Sequence, residues 1–158
     1  MTPAIALVLM FAIGMIAGLR ALTAPAVVCW AAHLGWLNLQ NSHLAWVGST
    51  AAVAIFSILA LAEIINDKLP ATGSRLAPPS LVIRSITGAF AASALAIAAG
   101  QSLLIGILLG VVGALAGSFV GYHLRHQIVA GLKIPDFPVA LLEDAIAIGC
   151  GLLIVSRF

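Results

Sequence analysis

Glu63 and Asp67 lie four residues apart in an apolar setting, so on a helix their carboxylates share one face, with Lys68 directly after them. Arg84 follows Pro79 by five residues and Glu143 follows Pro138 by five, which places each roughly 7 Å into a helix that begins at its proline. Asp144 adjoins Glu143 but points about 100° away around the helix, so the two acids face different neighbours rather than share a proton. The expected pairings are Arg84 with Glu143, and Arg20 with Glu63 and Asp67. Gathered at one mouth of a bundle, these groups can also surround a polar site, where arginine orients anionic groups and carboxylates accept cations or protons. The plainer alternative is a set of interhelical ion pairs that fix packing near an interface, where snorkelling lowers the cost of the charges.

Two further patterns offer weaker chemistry. The run from Lys68 to Arg75 (Lys-Leu-Pro-Ala-Thr-Gly-Ser-Arg) could present backbone amides and the Arg75 fork to a phosphate, but it lacks P-loop spacing and has the composition of any tight loop. His123 and His126 are three apart around Arg125 and are candidate metal ligands, yet no HExxH or compact Cys/His pattern accompanies them. No cofactor can be named from these residues.

The elements that must position these groups follow from composition. Of 158 residues, 63% are hydrophobic and 8% charged, which excludes an ordinary soluble domain; the +2 net charge is too small and dispersed for nucleic acid, so membrane lipid is the expected surrounding partner. The charge-free intervals 1–19, 21–62, 85–124 and 145–156 serve as rulers. The two long ones each hold two spans, broken by Gly35, Asn38, Gln40, Asn41 and Ser42 in one and Gly100, Gln101 and Ser102 in the other. The reading is all-α: a polytopic transmembrane helical bundle, one integral domain over 1–158, with six segments near 3–19, 25–37, 44–66, 79–99, 102–124 and 138–156. The second is short, so five spans plus a half-helix is the alternative. Basic residues before prolines (Arg20 and Pro25, Lys68 and Pro79, Arg125 and Pro138) also allow three repeated hairpins. The N-terminus lacks the basic leader of a secretory signal and is read as a retained first span.

Six segments put eleven of the twelve charged residues on one side, Arg157 excepted. The positive-inside rule makes that side cytoplasmic and leaves both termini outside. Gly106, Gly110, Gly113, Gly117 and Gly121 form a stripe for close helix packing, or a homo-oligomer seam, with Gly14 and Gly18 as a shorter match. Trp30, Trp36 and Trp46, with His33 and His43, fit the opposite interface, and Cys29 and Cys150 read as apolar-site thiols.

Gly18-Leu19-Arg20, the run from Glu63 to Pro70, Ser74 to Pro79, Pro135-Asp136-Phe137 with Leu141 to Asp144, and the C-terminal Gly-Leu-Leu-Ile-Val-Ser-Arg-Phe carry a resemblance. The chain resembles the bacterial membrane proteins grouped as domain of unknown function 4126. That resemblance implies a membrane context and no particular chemistry.

The expectation is a transporter, channel or carrier in a bacterial inner membrane, for a small polar or ionic substrate, with Arg20, Glu63, Asp67, Arg75, Arg84, Glu143 and Asp144 at its cytoplasmic mouth. An embedded enzyme or binder acting on a phosphate-bearing lipid head group is the first alternative, and an accessory subunit the second. No nucleophile is positioned, so catalytic residues are not assigned.

Overall fold

The computed structural model describes residues 1–67, 76–132 and 135–158, without the side chains of 132 and 136. Arg75, the loop that contains it and Lys133 lie outside these. Six helices are present and, among the described residues, no strand: α1 (Pro3–Leu19), α2 (Thr23–His33), α3 (Thr50–Asn66), α4 (Pro78–Ala98), α5 (Leu103–Leu132) and α6 (Asp136–Val155), with a 3₁₀ turn over Ala45–Gly48 before α3. By length and composition α4, α5 and α6 can each cross a membrane, while α1 and α3 are shorter apolar helices. These mark the chain as a membrane protein.

Local chemistry sets the ends. Pro3 and Pro78 fill first-turn positions, where a missing N–H costs nothing. The Ser49 hydroxyl caps α3 by accepting from the Ala52 amide at 3.1 Å. Gly35 and Gly100, with φ of 79° and 64°, end α2 and α4 in matching turns: Trp36 N–H donates back to Ala31 O and Gln101 N–H to Ala96 O, both at 2.8 Å.

Three helices depart from the sequence reading. α3 begins at Thr50 and not near residue 44, because the 3₁₀ turn and the Ser49 cap come first. α2 runs over Thr23–His33, 11 residues and about 16 Å, so it is even shorter than the segment expected at 25–37. α5 does not close near His123 to His126. It continues to Leu132, because nothing between Leu124 and Gly131 breaks a helix and the next proline is Pro135.

The tightest packing joins α1, α4 and α5, and glycine explains it. A Cβ added at Gly113 or Gly117 would collide with the backbone of Phe11 or Met15 in α1; one at Gly106 or Gly110 would collide with Ala96 or Gly88 in α4. Gly14 and Gly18 meet Gly110 and Gly117 from the α1 side. The stripe therefore faces this chain's own helices, and Gly121 is buried beyond it. α2 packs on α3 and α6, so the closest helix pairs do not follow a simple series of three hairpins. At the end away from most charges, Met1, Pro3, Gln101, Arg157 and Phe158 line one cavity, which brings both termini and the α4–α5 turn together.

Candidate functional site

The site is built around the interruption between α1 and α2. Helical hydrogen bonding stops at Arg20, whose N–H donates to Ile16 O, and resumes with Ala26 N–H to Leu22 O. A buried break leaves helix-end carbonyls on one side and helix-start amides on the other, and each needs a partner.

Two charged side chains supply partners from other helices. Glu63, near the end of α3, accepts from the Ala21 amide at 2.7 Å through Oε1 and from the Leu22 amide at 2.8 Å through Oε2. Arg84 of α4 donates through Nη1 to the Gly18 carbonyl at 2.5 Å and through Nε to Ser80 Oγ at 3.1 Å. An anion thus sits at the start of α2 and a cation at the end of α1, the favourable sense for both helix dipoles. Arg84 Nη2 and Glu63 Oε1 are 4.0 Å apart, and the Ser118 hydroxyl lies 3.2 Å from the same Gly18 carbonyl.

Arg20 occupies the break itself and is 1% exposed. Its Nη2 lies 2.9 Å from Asp67 Oδ2 of α3 and 2.5 Å from Asp144 Oδ1 of α6. These are close ion contacts, not aligned hydrogen bonds; Nε and Nη1 likewise have no hydrogen-bond partner. Asp67 Oδ2 also accepts from Arg125 Nη1 at 2.9 Å, and Arg125 reaches Glu143 Oε2 at 3.6 Å. One network therefore links α1, α3, α5 and α6.

Arg84 lies about 9 Å from the start of its helix, and Glu143 about 10 Å from the start of α6. The similar depth expected of them holds, but they do not pair with one another. α1 packs against both α4 and α6, so groups at one level on those helices face α1 instead of each other. Arg20 does meet Asp67, whereas Glu63 turns to the amides of the break and to Arg84. Glu143 and Asp144 engage different arginines, as the 100° offset requires.

Arg125 joins the network although sequence reasoning placed it only at a helix end. A signal was available: continuing the glycine series 110, 113, 117 and 121 by one more helical step reaches 125, on the same buried stripe. His123 and His126 stand exposed and apart from the site. His123 Nδ1 bonds the Phe119 carbonyl of its own helix at 2.8 Å, and His126 stacks on Tyr122. Among the described residues no three His, Cys, Asp or Glu side chains form a metal-holding group. Near the network, Leu19, Leu124, Ile128, Leu142 and Ile146 line a groove of about 160 Å³ together with Arg125 and Glu143.

At the far end, His33 Nδ1 bonds Gly48 O at 2.9 Å, Trp30 Nε1 donates to Ser57 Oγ at 3.0 Å and Trp46 meets Phe90. These fasten the segment between α2 and α3.

Residues 7–156 match the family described as a domain of unknown function, DUF4126. The chain belongs to the DUF4126 family. No curated protein and no solved structure matches it. For this DUF4126 chain the buried network is therefore the ground on which function has to be argued.

Proposed function

We propose that this DUF4126 protein is a small membrane carrier or channel for a small polar or ionic solute, with its binding site at the interruption between α1 and α2. The observation that carries the reading is Arg20, fully buried in a non-helical stretch and held between Asp67 and Asp144. Broken helices surrounded by protein are a recurrent way for membrane transporters to present helix ends and charges to a solute. In this reading Arg20, Asp67, Asp144, Arg125 and Glu143 contact the solute or gate its access, and Glu63 and Arg84 hold the break open. The bundle has six membrane segments, α2 being a half-length one, with the charged end cytoplasmic and both termini outside a bacterial inner membrane.

The purified protein in liposomes tests this, with solute entry followed by light scattering under gradients of simple salts and small zwitterions. The wild type should admit one class of solute, and Arg20→Lys or Asp144→Asn, folded but altered at the network, should lose that entry at least ten-fold. Equal entry into protein-free liposomes for every solute would refute the carrier reading. A second reading, capture of a phosphate-bearing lipid head group, has one specific support: the apolar groove that also includes Arg125 and Glu143.

A further inference from the structure

The partners around the α1–α2 break are unequally distributed. Of the four amides that begin α2, that of Leu22 is taken by Glu63 and Pro25 has none, leaving those of Thr23 and Ala24 without an acceptor inside the helix. The Thr23 side chain, 3% exposed, has a hydroxyl with no hydrogen-bond partner. Arg20, three residues earlier and 1% exposed, has Nε and Nη1 without one. Three residues of chain span at most about 10 Å, and the intervening Ala21 and Leu22 form a turn, so the backbones that carry these groups lie within that distance of one another. All of them donate: two guanidinium nitrogens, two amides and a hydroxyl that can turn its hydrogen inward. A buried set of donors calls for an acceptor, because each unmet polar group costs stability.

From this we infer that the break is a binding site for a small monovalent anion, held by Arg20 Nε and Nη1, the Thr23 hydroxyl and the first amides of α2. The helix start favours negative charge, and the planar guanidinium supplies directed donors. Monovalence follows from the neighbours. Arg20 already shares its charge with Asp67 and Asp144, so a dianion would be left under-compensated, and Glu63 occupies the adjacent amides. The deep burial of Arg20, Thr23 and Ala24 limits the ligand to a few heavy atoms. The inference deepens the carrier reading by naming its substrate class, and it rests on that reading for its role in transport.

Binding is measured on the whole protein in neutral detergent, without any gradient. Chloride, nitrate and formate are added as sodium salts, with sodium gluconate at equal ionic strength as the control. At least one small anion should raise the unfolding temperature saturably and give a calorimetric isotherm, while gluconate does neither. Thr23→Val, which keeps the shape and removes the hydroxyl, should weaken that affinity roughly ten-fold; Arg20→Lys should abolish it. A response equal to that of gluconate, or wild-type affinity in Thr23→Val, would overturn the anion site. Solute flux in liposomes separates the two ideas: flux of a neutral or cationic solute without anion binding leaves the carrier and removes this site, whereas anion binding without any flux does the reverse.

Discussion

Glu63 and Leu22, 41 residues apart in sequence, are joined by a 2.8 Å hydrogen bond in which a carboxylate from the end of α3 caps the start of α2. The cap is supplied in trans because the short α2 carries no capping side chain of its own; Leu22 stands where serine or aspartate would ordinarily serve. The same carboxylate takes the Ala21 amide, so two backbone amides at the break depend on one side chain.

Removing it should therefore be costly. Glu63→Ala leaves two amides unpaired in a largely buried place and should destabilise the protein by about 3 kcal/mol, while Glu63→Gln, which keeps one acceptor oxygen, should lose about half of that. Reversible unfolding in mixed micelles measures both. If Glu63→Ala unfolds with the wild type, the trans cap carries no weight.

The Arg20–Asp144 contact makes a separate prediction. Arg20→Ala strips the shared cation from two acids and should cost about 3–5 kcal/mol. Replacing both Arg20 and Asp144 with leucine should recover more than half of the loss, because no buried charge of that pair is then left alone. Additive losses in the double variant would mean that the two side chains do not act as a pair.

What the sequence revealed about this site was its membership more than its wiring. Scarcity of charge made Glu63, Asp67, Arg84, Glu143 and Asp144 visible, and helical spacing placed Arg84 and Glu143 at similar depth. The wiring depends on which helices are neighbours. With α1 packed against both α4 and α6, Arg84 meets Gly18 and Glu63, and Glu143 meets Arg125. The role of Glu63 as a cap was hidden for another reason: the groups it satisfies are backbone amides, which leave no mark on composition. α1 begins at Pro3 and ends at Leu19 as read, where the backbone turns extended at Arg20, whereas α5 overran its expected end because leaving an apolar stretch does not stop a helix.

The glycine stripe carries a graded prediction. Gly113→Ala and Gly117→Ala place a methyl against the backbone of Phe11 and Met15, which cannot yield without separating α1 from α5, so each should cost about 1–3 kcal/mol. Leucine at either position should prevent the bundle from assembling. Gly149, with open space where a Cβ would stand, is the control: alanine there should be neutral or stabilising by up to about 1 kcal/mol. Unfolding midpoints of the three alanine variants check the order, and equal values would show that close approach of α1 and α5 does not limit stability.

Topology gives the sharpest test of α2. If this 11-residue helix turns the chain back, α1 and α3 lead toward the same charged end, and the two termini emerge together at the other. The grouping of Met1 and Pro3 with Arg157 and Phe158 around one cavity requires the termini to share a side. In the proposed topology Arg20 and Arg125 mark the charged end as cytoplasmic, which predicts termini on the outside. Alkaline phosphatase fused at either terminus or after Gly100 should then be active, and a cytoplasmic fluorescent reporter at the same points dark. Termini that report opposite sides would mean that α2 does not return the chain, while a cytoplasmic result at both would invert the bundle and turn the charged network outward.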